Sequence, residues 1–213
     1  MTTQPDPSSP EARFSVEGKS ILITGATGAL GSVAARALAD AGALLTLAGG
    51  NSAGLAELVA GTAMGEAEVV PRRPETPADA AAMVDAAVTR HGRLDGVLVA
   101  SGMNHVKPIV EMPVEDFDRV MEANIRGAWL VCQAAGRVLL DQNDGGSIVL
   151  ISSVRGTRGS SYGYSAYCPS KAATDLLAKS LAAEWGGRGI RVNALAPSVF
   201  RSELTAWMYA DDE

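Results

Sequence analysis

This chain of 213 residues has little of what several classes of protein require. Its two cysteines, Cys132 and Cys168, stand far apart and outside any metal-binding spacing, so a disulfide framework is not expected and a reducing, cytoplasmic setting is. Two histidines, His91 and His105, cannot alone make a histidine-based metal site, and no metal is expected. No apolar run reaches bilayer-spanning length, because charged residues or glycines interrupt each one, so no membrane partner is expected. The opening MTTQPDPSSPEA lacks the hydrophobic segment of a signal peptide, and residues 1–13 are expected to form a polar, proline-rich, disordered tail. Positive charge is also scarce. Lys and Arg number 18 against 24 Asp and Glu, a net charge of −6 without a basic stripe, which argues against nucleic acid.

What is present is an ordinary globular composition, 47% hydrophobic and 20% charged, enough for one domain over residues 14–213. Short β-rich runs alternate with alanine-rich helical ones. Strands are expected at residues 20–24, 43–48, 67–70, 95–100, 147–152 and 190–195. Helices are expected at 30–41, 52–60, 78–91 and 165–185, with a long one starting at Pro113 and running toward Leu140. Pro77 should open the third helix and Gly92 end it. Uninterrupted apolar strands imply burial on both faces. The reading is therefore α/β, a doubly wound parallel sheet between two helical layers, the Rossmann fold.

TGATGALG, residues 24–31, lies where the first strand passes into the first helix. Glycines at 25, 28 and 31 permit a tight turn, close approach of a ligand to backbone, and close helix–strand packing. Free N–H groups at the helix start can then face a pyrophosphate. YCPSK places Tyr167 and Lys171 one helical turn apart on one face. A free phenol titrates near 10 and is a poor base at neutral pH. An ammonium about 4–5 Å away, at an effective dielectric near 20, would favour the phenolate by up to about 4 kcal/mol. On that reasoning Lys171 brings Tyr167 toward working pH. Pro169 is tolerable if the helix begins close to it.

With these segments, MEANIRGAWL, GSIVLISSVRG and IRVNALAPSVFRS in order, the chain from about residue 17 to 205 resembles the short-chain dehydrogenase/reductase family in its single-domain form. The resemblance implies an NAD or NADP cofactor and hydride transfer to or from a small-molecule carbonyl or secondary alcohol. It implies that Tyr167 is general acid/base, that Lys171 also holds the nicotinamide ribose, that Ser153 polarises the substrate oxygen, and that Asn124 holds a water in a proton relay. The cofactor would meet Gly25, Thr27, Gly28, Leu30 and Gly31 at the first turn, and Gly50 and Asn51 after the second strand. It would meet Ala100 and Gly102 after the fourth, Tyr167 and Lys171 on the helix, and Pro197, Val199 and Ser202 in the last loop. A homotetramer or homodimer is implied, built through the long helix and the helix bearing Tyr167.

Other readings stay open. Asn124 could tie two helices together, Ser152 rivals Ser153, and His105 is read as a solvated loop residue. Cys132 and Cys168 read as buried small side chains rather than nucleophiles. A non-catalytic nucleotide-binding regulator, or a dehydratase or epimerase using the same base, would share the fold. The chain also departs from the family pattern. Its VASG, residues 99–102, lacks the amide that usually braces the strands, Arg73 stands where an adenine-contacting aspartate is common, and Ser198 replaces a common glycine. AGGN, residues 48–51, carries neither the acid of NAD forms nor the arginine of many NADP forms. With no carboxylate to repel a 2′-phosphate, and Arg72 or Arg73 in reach of one, NADP is the favoured expectation. The sequence stops inside the family's substrate-covering region, so the family's last strand is expected to be missing.

Overall fold

The computed structural model describes residues 14–60 and 64–200. Strand β1 (Ser20–Thr24) enters the glycine turn and helix α1 (Ala29–Asp40). Gly42, at φ 82, reverses the chain into β2 (Leu44–Ala48), followed by α2 (Ser52–Val59) and β3 (Glu68–Val70). Helix α3 (Pro77–His91) begins with a reciprocal cap, in which Asp79 N–H donates to the Thr76 hydroxyl and Thr76 N–H donates to the Asp79 carboxylate. It ends at Gly92 in the left-handed region, as the sequence implies. Then come β4 (Gly96–Val99), α4 (Val114–Met121), α5 (Gly127–Gln142), β5 (Gly146–Ile151), α6 (Tyr167–Trp185) and β6 (Ile190–Leu195).

All six strands are parallel, in the order β3-β2-β1-β4-β5-β6. The α/β doubly wound reading holds. Consecutive residues of β1 point to opposite faces, so Leu22 joins one core cluster and Ile23 the other, both fully buried. One cluster packs the sheet against α3, α5 and α6, with Met83, Leu139 and Leu181 among its members. The other seats Ala35 of α1 and Leu55 of α2 against Leu45 and Leu47. Each such buried Leu or Ile contributes about 1.5–3 kcal/mol. Because β1 pairs with β2 on one side and β4 on the other, the connections leaving β1 and β4 diverge. The sheet opens a crevice beyond the carboxyl ends of its strands.

Boundaries agree to within about two residues, the usual scatter of helix and strand ends. The expected long helix from Pro113 is corrected. It begins at Val114 and is interrupted by one π-helical turn, Glu122–Arg126, closed by Gly127 N–H donating to the Glu122 carbonyl. The helix expected from residue 165 starts at Tyr167, which puts Pro169 in its first turn, where no amide hydrogen is needed. The residue 1–13 tail and Ser202 lie outside the described residues.

Candidate active site

The crevice deepens into a cavity of about 960 Å³. At one end is the glycine turn. Gly25 has φ 65, and a Cβ there would sit 2.6 Å from the Ser101 nitrogen; a Cβ at Gly31 would land on the Gly25 carbonyl oxygen. Both positions therefore require glycine for the turn to lie flat on β4 and α1. Helix α1 starts at Gly28 without a side-chain cap and with no acid in its first turn. Its leading N–H groups and the positive end of its dipole face the cavity, lined here by Gly25, Thr27, Gly28, Leu30 and Gly31. An anionic pyrophosphate fits that cradle.

Gly50 and Asn51 line the wall after β2. Asn51 caps α2, its side chain accepting from Gly54 N–H. Arg73 lies directly over Gly50, where any Cβ would collide with its Nε. Its guanidinium has no carboxylate partner among the described residues. Arg72 is engaged instead with Asp79 at 2.8 Å. Hydrogen bonds from Thr76 and then Arg72 hold the Asp79 carboxyl below its usual range. Of the two arginines, Arg73 is the one left for a ligand.

Ala100 and Gly102 follow β4 into the middle of the cavity. In place of a bracing amide, the hydroxyls of Thr24 and Ser101 pair at 3.1 Å and tie the ends of β1 and β4 together. Asn124, on the π turn, is 2% exposed and lies behind the cavity wall rather than lining it. Its Oδ1 accepts from Met103 N–H at 2.7 Å, while Nδ2 donates to the Met103 carbonyl and the Ser170 hydroxyl, each at 2.9 Å. Both amide hydrogens are thus taken. Asn124 clasps the segment after β4 to the first turn of α6.

At the other end of the cavity, Ser152 and Ser153 follow directly on β5. Ser152 is buried and donates to the Lys171 carbonyl at 3.1 Å. Ser153 lines the cavity beside Tyr167 and accepts from Arg155 N–H. Both serines line the cavity, but the Ser152 hydroxyl is committed to the Lys171 carbonyl. Tyr167 and Lys171 face the cavity from one side of α6, with the Lys171 Nζ 5.6 Å from the phenol ring centroid. Pro197 and Val199 close this end.

The electrostatics differ from the sequence expectation. Burial raises the Tyr167 phenol above its ordinary value; the Ser153 hydroxyl pulls the other way, and Tyr164 and Cys168 add to the rise. Burial also pushes the Lys171 amine down to about 8, against an opposing pull from Asp175. The amine donates to the Ile151 carbonyl at 2.8 Å and makes no hydrogen bond to the phenol. Desolvation dominates at both groups, so Tyr167 is held as the neutral acid.

Two residues join this end unannounced by any motif. Tyr164 is 4% exposed and meets the Tyr167 ring edge-on at 6.0 Å, and Arg155 lies over the Tyr164 ring at 5.1 Å. The signals were spacing alone: Tyr164 precedes Tyr167 by three residues and Arg155 follows Ser153 by two. His105 is a loop residue with its side chain 34% exposed, and it lies 3.1 Å from the Asp116 carboxylate. Cys132 is buried, its thiol pushed up to about 12. Cys168, expected to be buried, is only partly covered, and what burial it has raises its thiol.

A glycine-lined anion cradle at the switch point of a parallel sheet, leading to a serine, tyrosine and lysine, defines a dinucleotide-dependent class of α/β protein. The chain belongs to the short-chain dehydrogenase/reductase family: the family's sequence profile, that of short chain dehydrogenases, matches residues 19–213. It is 75% identical over 201 residues, 94% of this chain and 74% of the relative, to an uncharacterized oxidoreductase of Mycobacterium tuberculosis. A D-threitol dehydrogenase of Mycolicibacterium smegmatis is 36% identical over 210 residues, 96% of this chain and 80% of that one. The crystal structure of a putative short-chain alcohol dehydrogenase from Sinorhizobium meliloti superposes with a TM-score of 0.86 at 32% identity, covering 93% of this chain and 79% of that one. The protein is thus an oxidoreductase of this family. No helix among the described residues is long and apolar enough to cross a membrane.

Proposed function

We propose that the protein is an NAD(P)-dependent oxidoreductase that interconverts a small secondary alcohol and its ketone. The observation carrying this reading is that Ser153, Tyr167 and Lys171 line the same cavity as the glycine cradle. When bound, the nicotinamide would supply or accept the hydride while the substrate oxygen would exchange its proton with the protein, so that alcohol and oxidised cofactor balance ketone, reduced cofactor and one proton. Tyr167, held neutral by burial, donates that proton in the reductive direction. Ser153 donates a hydrogen bond to the substrate oxygen as charge grows there. Lys171, an ammonium below about pH 8, holds the ribose with the hydrogens that Ile151 does not use and restores the proton to Tyr167. Asn124 acts as the clasp that fixes Met103 and Ser170; any water it holds must sit at its carbonyl rather than at its amide hydrogens.

The cofactor is NADP on this reading, because Arg73 stands over Gly50 without a carboxylate partner and can meet a 2′-phosphate by a charge-assisted hydrogen bond. Calorimetry with NADPH and NADH tests it together with a turnover screen over polyols, sugar acids and ketones. Arg73→Ala should weaken NADPH binding about tenfold or more, with little change for NADH. A native preference for NADH refutes the NADP assignment, and no change in cofactor absorbance across the screen refutes the redox reading.

The same reading has the chain as a homodimer or homotetramer. Support comes from exposed apolar side chains on the expected helices: Val114 and Phe117 on α4, Trp129 on α5 and Leu176 on α6. Sedimentation equilibrium should give a dimer or larger, and a monomer at micromolar concentration would refute it.

A further inference from the structure

Resting on the oxidoreductase reading, we propose that the substrate carries an anionic group, a carboxylate or a phosphate, beyond its reacting carbon, and that Arg155 receives it. Ser153 accepts a hydrogen bond from Arg155 N–H, so the serine beside Tyr167 also fixes the backbone from which the guanidinium extends. The short 3₁₀ turn Val154–Gly156 carries it back over the Tyr164 ring, which itself abuts Tyr167. Serine, phenol, second ring and guanidinium thus form a continuous wall of one cavity.

The charge on that wall is unmatched. Arg155 has no carboxylate within ion-pair distance among the described residues, and its one side-chain hydrogen bond is a long 3.4 Å contact to the Gly159 carbonyl. The acids lining the cavity, Glu75 and Glu122, sit on the segment after β3 and on the π turn, and neither pairs with it. A half-buried guanidinium held on an aromatic face keeps most of its five N–H donors in a planar fork, which suits two oxygens of one anion. Two further polar atoms of residues lining the same cavity lack a partner: the buried Tyr164 hydroxyl and the Asn104 Oδ1. An orphaned buried polar group is costly unless a ligand or water completes it. Unpaired positive charge with unfilled hydrogen-bonding atoms suits a hydroxylated acid or sugar phosphate better than an apolar ketone.

The experiment uses matched probes: glycerate against glycerol, gluconate against sorbitol, and sorbitol 6-phosphate as the phosphate arm. Binding is read by calorimetry with the reduced cofactor present, and turnover is read with the oxidised one. The anion of at least one pair should bind tenfold or more tightly than its neutral partner. That ratio should collapse toward one in Arg155→Gln and be partly restored in Arg155→Lys. Being internal to each variant, the ratio is insensitive to loss of folded protein. Equal binding of anion and neutral partner throughout, or a ratio that survives Arg155→Gln, overturns the proposal. Turnover of neutral polyols that depends on Tyr167, without any preference for anions, would leave the oxidoreductase reading standing and remove this one alone.

Discussion

Tyr167→Phe is expected to lower kcat about 10²–10⁴-fold, the usual contribution of a positioned general acid or base, while the cofactor dissociation constant changes little. The ring remains, so its edge contact with Tyr164 and its part in the cavity wall are kept; only the proton-bearing oxygen goes. Burial and the neighbouring Ser153 set the acidity of that oxygen, with burial dominant. Turnover within a factor of two of the parent would remove Tyr167 from the reaction. A parallel loss of cofactor binding would instead mean that the phenol holds the cofactor rather than moving a proton.

Lys171→Met should separate activity from stability. Turnover should fall at least about 10²-fold, because the group proposed to restore the Tyr167 proton and to hold the ribose is gone. Stability should move the other way at neutral pH. The Lys171 amine titrates at about 8 in the folded protein against 10.5 for the free group. Below about pH 8 both states are protonated and folding bears the full cost of burying the ammonium, about 3 kcal/mol. Between about 8 and 10.5 the folded state has released its proton and the unfolded state has not, so that cost shrinks as pH rises, and it is gone above. Methionine lacks the charge but forfeits the hydrogen bond to the Ile151 carbonyl, a loss of about 1 kcal/mol. Urea unfolding should therefore find the variant about 2 kcal/mol more stable at pH 7, with the advantage gone by about pH 10. An unchanged or lower stability at pH 7 would mean that the buried ammonium is not costly to the fold.

Much of this was legible in the residues because local and global signals agree. Apolar runs such as SILIT and SIVLIS, each followed by glycine or serine, are enough to phase a parallel sheet, and Pro77 and Gly92 bracket their helix without help from elsewhere. The π turn was not legible. EANIR contains nothing that forbids an ordinary helical turn, and the partners that engage Asn124 lie 21 and 46 residues away. The difference between Ser152 and Ser153 was not legible either, because it rests on a partner 19 residues further on, the Lys171 carbonyl that receives the Ser152 hydroxyl. Spacing placed Lys171 under Tyr167 but carried no measure of burial, and burial reversed the expected direction of the phenol's shift. Arg73 was nameable as a candidate, yet only its position over Gly50, with Arg72 committed to Asp79, separates the two.

The clasp made by Asn124 has a consequence for how such a protein can diversify. One amide anchors the Met103 peptide and the start of the tyrosine-bearing helix to a common point, so two walls of the reaction chamber are stitched together at their base. The stretch between Met103 and α4 leaves from that stitch and is held again where Lys107 N–H donates to the Gly163 carbonyl and His105 meets Asp116. On the proposed reading, changes in that stretch would reshape the chamber while the clasp keeps Met103 and Ser170 in place.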